Sequence, residues 1–167
     1  MWLRSCTSRT GTFTGKLLPY YLVNLGQVAL MFAIGRLVFG MSLGRAPLAL
    51  VLVTLATAAA ATGLGLLVAA LGKTRQQITG IATLLVLVLA ALGGTMVPVF
   101  VMPAFMQALA RLSPHYWALQ GYQDIIVRGL GVAAVLPEVG VLLGFALAFY
   151  TVALIRFRGR WTMDDGR

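Results

Sequence analysis

Acidic side chains are nearly missing from this chain. Asp124, Glu138, Asp164 and Asp165 are set against 13 lysines and arginines in 167 residues. Neither Asp124 nor Glu138 falls in the middle of an apolar run, so the sequence offers no buried proton relay, and transport driven by an ion gradient is disfavoured. Cysteine is as scarce. Cys6 stands alone, which excludes an intrachain disulfide and a cysteine zinc site and leaves a reduced thiol in a basic segment. His115 is the only histidine; with no second ligand near it in sequence, it reads as a capping or interfacial residue rather than a metal ligand or acid-base group. There is no internal repeat. Residues 1–16 are too polar to hold the apolar core of a cleavable signal, so the first hydrophobic segment is expected to stay in the protein.

What the chain has instead is apolar length. With 60% hydrophobic residues, 10% charged and a mean hydropathy of +0.92, it departs far from a soluble composition. An all-α polytopic membrane protein follows. The formal charge of +9 sits mostly at the ends of the apolar runs, where anionic lipid headgroups rather than nucleic acid are its partner.

Four runs are long enough to span a bilayer. Residues 17–39 form the first, with Pro19 tolerated in its first turn, Arg36 near enough to its end to snorkel, and Asn24 and Gln27 three apart on one face. That polar pair points to interhelical hydrogen bonds or, on the functional reading, to part of a substrate path. Residues 46–71 are the second span; its middle, ATAAAATGLG, is almost all small side chains that let helix backbones approach closely. The basic loop 72–77 leads into the third span, 78–97, whose helical pattern breaks at Gly93-Gly94. The last span covers 134–156 and runs into the basic tail 157–167.

Between the third and fourth spans, residues 98–133 are too rich in proline to span and too apolar for an ordinary loop. Pro98, Met102-Pro103 and Ser113-Pro114 punctuate them. Pro103 opens one short helix, AFMQALARL. Ser113-Pro114 reads as N-cap and first-turn proline of a second, closed by Gly129 and Gly131. Tyr116, Trp117 and Tyr122 are of the types that settle at headgroup level. The segment therefore reads as short re-entrant or interfacial helices folded as a cap at the membrane surface.

Counting Lys and Arg by side fixes the expected orientation. With both termini cytoplasmic, nine fall inside (Arg4, Arg9, Lys16, Lys73, Arg75, Arg156, Arg158, Arg160 and Arg167) and four outside (Arg36, Arg45, Arg111 and Arg128). Two catalytic patterns fail on inspection. Gly11 to Leu18 resembles a phosphate-binding loop, but the glycine spacing is short and Leu17 stands where a magnesium-binding hydroxyl is needed. Gly40-Met41-Ser42-Leu43-Gly44 matches a hydrolase elbow, with His115 and Asp124 expected on the same side, yet it follows a membrane helix where that motif needs a strand.

Taken together, GKLLPY after a basic segment, LGKTRQQ, GGTMVPVFVMP, QALARLSPHYW and a basic end after the last span resemble the ABC transporter type-2 permease family, the membrane subunits of ATP-driven exporters. The resemblance covers nearly the whole chain and is most specific from Gly93 to Trp117. It implies that these are the last four of the family's six spans, in the plasma (inner) membrane. It also implies that Met1 to Lys16, with Arg4, Arg9 and Lys16, is a cytoplasmic coupling segment resting on an ATPase subunit. Gly93, Gly94, Pro98, Met102, Pro103, Pro114 and Trp117 would shape an external gate or cap. ATP and magnesium would bind the partner ATPase and not this chain, which would need a second permease copy or the missing permease half. The rival reading is a membrane scaffold or assembly protein derived from such a permease.

Overall fold

Each helix starts and stops where the side chains require it. The computed structural model describes residues 9–161 apart from positions 43 and 45, with side chains described from Leu18 to Arg156. Among the described residues there are six α-helices and no strand, so the all-α expectation holds. Four of the helices are long and apolar enough to cross a membrane, over Leu18–Leu37, Pro47–Leu71, Arg75–Leu92 and Val132–Arg156.

Helix α1 (Arg9–Leu37) is one unbroken helix through Pro19. It begins inside the expected coupling segment, so Arg9 and Lys16 extend the first span's helix backbone; Arg4 lies outside the described residues. Helix α2 (Pro47–Leu71) opens on a first-turn proline and stops at Gly72. Helix α3 (Arg75–Leu92) is capped by the Thr74 side chain, which accepts from the Gln77 amide, and closes at Gly93. It starts three residues before the expected 78 and ends five before the expected 97. Thr74 is the better cap at one end, and at the other Gly94, at φ +90°, turns the chain out of the helix.

A 3-10 turn (Val99–Val101) and helix α4 (Ala104–Ala110) follow. Helix α5 (Pro114–Ile126) begins as the sequence suggests: Ser113 is the N-cap, its hydroxyl accepting from the His115 amide, and Pro114 sits in the first turn. Gly129, at φ +65°, turns the chain into helix α6 (Val132–Trp161).

Helix α2 is the axis of the bundle and packs most extensively against α6. Its small residues make this possible. Ala56 and Ala60 meet Leu142 and Ala146, and a Cβ on Gly63 would lie 3.3 Å from both the Ala146 carbonyl and Phe149. In lipid such contact stabilises through close van der Waals packing, because hydrocarbon already surrounds the separated helices. Helix α1 is tied to α2 by polar bonds: Asn24 Nδ2 donates to Thr62 Oγ1 at 3.2 Å, and Tyr21 to the Leu55 carbonyl at 3.0 Å. Helix α3 buries no residue of its own.

Candidate site at the re-entrant helix

The chain between α3 and α6 leaves the end of α3, makes the 3-10 turn and α4, and returns to where it left. The hydroxyl of Ser113 donates to the Leu89 carbonyl at 2.8 Å, closing the excursion onto the last turn of α3. Gly93 makes that approach possible. A Cβ there would lie 2.6 Å from His115 Cβ and 2.9 Å from the Tyr116 nitrogen, so the first turn of α5 rests on bare backbone. Gly94 is buried in the same junction, where an added Cβ would strike Val99.

From this junction α5 climbs along the groove between α2 and α6. At its start Trp117 and Ala118 pack against Ala56, Ala60, Leu142 and Ala146; at its end Ile125 packs against Ala49, Leu50, Val53 and Val135. From Ala49 to Ala56 and Ala60 is two to three helical turns of α2, about 10–16 Å at 1.5 Å per residue. The N-terminus of α5 is therefore sunk well below the Pro47 end of α2. The segment re-enters the helix bundle rather than lying across its end.

Gly121 sets the depth of packing, since a Cβ there would be 3.1 Å from Val53 and 3.6 Å from Glu138 Cβ. Tyr122 donates to Thr54 Oγ1 at 3.2 Å and stacks at a tilt on Phe32, with centroids 5.7 Å apart. Near the exit Asp124 is buried. Arg128 donates to its Oδ1 at 2.6 Å while remaining more than half exposed, and the Leu130 amide caps the Asp124 carbonyl. Three polar atoms in this region are buried with no hydrogen-bond partner among the described residues: Thr57 Oγ1 on α2, His115 Nδ1 on α5 and Glu138 Oε2 on α6.

The residues singled out by sequence divide in two. Gly93, Gly94, Pro114 and Trp117 meet at the α3–α5 junction, where Trp117 donates its indole N–H to the Arg111 carbonyl at 2.8 Å. Trp117 and Tyr122 face α2 and α6 instead of headgroups, because the groove gives each ring packing partners and each donor an acceptor. Met102 is buried, its carbonyl accepting from Gln107 at 2.8 Å, and Pro103 precedes α4 as its cap; Pro98 is an exposed turn residue. Asn24 finds Thr62, while Gln27 on the same helix is exposed and does not join it. Of the residues the sequence left unmarked, Gly121 on α5 carries no motif, Thr57 lies in the small-residue stretch of α2, and Asp124 on α5 entered only in the rejected proton-relay and hydrolase patterns.

The hydrolase pattern does not assemble. Ser42 lines a shallow cavity with Gly44 and Ile126–Gly129 at the exit of α5. His115 is eleven residues from Ile126, at the sunken end of the helix, about 16 Å away along its axis. Among the described residues no group of three or more histidine, cysteine or acidic side chains could hold a metal ion.

This geometry of four membrane-length helices, with a re-entrant pair of short helices before the last, has a sequence counterpart. The profile of the family described as ABC-2 type transporter matches residues 3–127. The chain belongs to that family. It is 29% identical over 161 residues to the linearmycin resistance permease protein LnrN of Bacillus subtilis, an alignment covering 95% of this chain and 42% of that protein. It is also 30% identical over 99 residues to the inner membrane transport permease YhhJ of Escherichia coli, covering 59% of this chain and 26% of that one. The Shigella flexneri YhhJ protein matches equally. The chain thus spans less than half the length of these relatives. No solved structure matches it significantly. The matched region of this ABC-2 family chain ends at Val127, just past α5, and takes in both α4 and α5.

Proposed function

We propose that the chain is a permease subunit, or the four-span part of one, of an ATP-driven exporter, and that α4 and α5 form its outer gate. On this reading both termini are cytoplasmic, a separate ATPase subunit binds ATP and magnesium, and the helix begun at Arg9, with Arg4 and Lys16, receives its movement. A second permease copy or the remaining permease half completes the pathway. The nucleotide can shift the gate only through contacts that differ between the two states.

The observation that favours a gate over a fixed cap is the set of orphaned polar atoms around α5. Thr57 Oγ1, His115 Nδ1 and Glu138 Oε2 are buried without partners among the described residues, with α5 seated in the groove. Each such group costs about 1–3 kcal/mol. Water or a polar cargo entering the groove would remove that cost, so the open state is favoured by the side chains that α5 covers. Asn24 and Thr62 satisfy each other and belong to the α1–α2 contact. The few polar groups in the spans suit a hydrophobic or lipid-like cargo. One relative is named a linearmycin resistance permease protein, which is in keeping with an exporter.

The test is a complex purified through a tag after Arg167, carrying Leu119→Cys on the half-buried face of α5 and Cys6→Ser. An ABC ATPase should copurify, and ATP with magnesium should raise labelling by a membrane-impermeant maleimide several-fold. Copurification with unchanged labelling would make the segment a fixed cap. Absence of any ATPase in several mild detergents would favour the scaffold.

A further inference from the structure

Helix α3 is long, apolar and almost unsupported. It buries no side chain, and its contacts with the bundle are to α2, α4 and α5. At its basic end the attachment is the tight turn at Gly72, where an added Cβ would strike Ile78. At its other end the attachment is the junction with α5. Helix α5, by contrast, is held on both sides, by Val53 of α2 against Gly121 and by Val135 of α6 against Ile125.

At that junction one hydroxyl serves two helices. Ser113 Oγ accepts from the His115 amide at 3.2 Å, which caps α5, and donates its proton to the Leu89 carbonyl at 2.8 Å, which lies in the last turn of α3. The same carbonyl accepts the Gly93 amide at 2.8 Å. Ser113 is 1% exposed, so no water competes for either bond. An alanine could not make them, and an ordinary N-cap needs only the first.

We infer that Ser113 is a positioning residue that makes α3 and the re-entrant helix move as one body, so that displacement of α3 at the Lys73–Gln77 loop reaches the N-terminus of α5. The inference rests on the gate reading for its purpose but not for its geometry. The donor bond is what distinguishes it from capping. Threonine keeps donor and acceptor, alanine loses both, and glycine loses both while remaining a tolerated N-cap.

The experiment measures the distance between spin labels at Leu84 of α3 and Val127 beyond α5, both exposed, in the full chain in native-lipid nanodiscs with Cys6→Ser. The native chain should give one narrow distribution. Ser113→Ala and Ser113→Gly should each add a longer distance, the separated population rising about fivefold, as loss of a net ~1 kcal/mol bond produces. Ser113→Thr should restore the narrow distribution, whereas a role in capping alone would leave glycine close to native as well. A native-like distribution in Ser113→Ala or Ser113→Gly, or a broad one in Ser113→Thr, would overturn the inference. Because the readout needs neither ATP nor transport, it fails or stands independently of the maleimide test of the gate.

Discussion

Gly93 decides whether α5 can enter at all. Methyl addition in Gly93→Ala would force a Cβ to 2.6 Å from His115 Cβ and 2.9 Å from a backbone nitrogen, and backbone cannot step aside as a flexible side-chain tip can. Overpacking of this kind costs about 1–3 kcal/mol. The expected outcome is a lower melting temperature in detergent and increased protease cleavage between Gly94 and Ser113, with Gly80→Ala, which meets nothing within 4 Å, as the silent control. The Asp124–Arg128 pair makes a second prediction, of asymmetry. Arg128 is mostly in the open and Asp124 is not, so Arg128→Ala leaves a buried carboxylate without its partner, whereas Asp124→Asn leaves an exposed guanidinium free to be solvated. Arg128→Ala should therefore be the more destabilising change, by about 1–2 kcal/mol. Thermal melts of both variants check the order.

At the scale of elements, the α2–α6 contact turns on side-chain volume. Ala60 is 2% exposed and faces Leu142 and Ala146, while its neighbour Ala61 is exposed. Ala60→Leu should destabilise by about 1–3 kcal/mol and Ala61→Leu should be close to neutral. Denaturation in a mixed-micelle titration would separate the two, and equal effects would mean that α6 does not pack on this stripe. The α1–α2 contact is of another kind. Thr62 accepts from Asn24 and donates to the Ala58 carbonyl at 2.7 Å, so Asn24→Leu removes one bond and leaves the threonine satisfied. Its cost should be small, about 0.6 kcal/mol, the average for such bonds in membranes.

For the whole molecule, the proposed orientation rests on the distribution of charge. Lys73, Arg75 and Arg156 gather at one end of the bundle, and the re-entrant segment lies toward the other. A phosphatase fused after Arg167 should be inactive and one inserted after Gly129 active. The reverse pattern would invert the proposed topology and with it the direction of transport. The number of spans would be unaffected, since it rests on length and hydropathy.

Much of this was legible in the residues themselves. Apolar run length pointed to four membrane-length helices, and proline and glycine punctuation to the short ones, because both act through the local backbone: Ser113-Pro114 caps and opens α5, and Gly93-Gly94 closes α3. The family resemblance, carried by Gly93 to Trp117, is borne out by a match over residues 3–127. What the chain order could not convey is which faces meet. Only the tertiary structure sank α5 into the groove between α2 and α6, turned Trp117 inward, left Gln27 outside while pairing Asn24 with Thr62, and brought Ser113 back to Leu89 across 24 residues. Burial in that groove depends on the volumes of Val53, Gly121 and Leu142 together, and no single stretch of sequence contains all three.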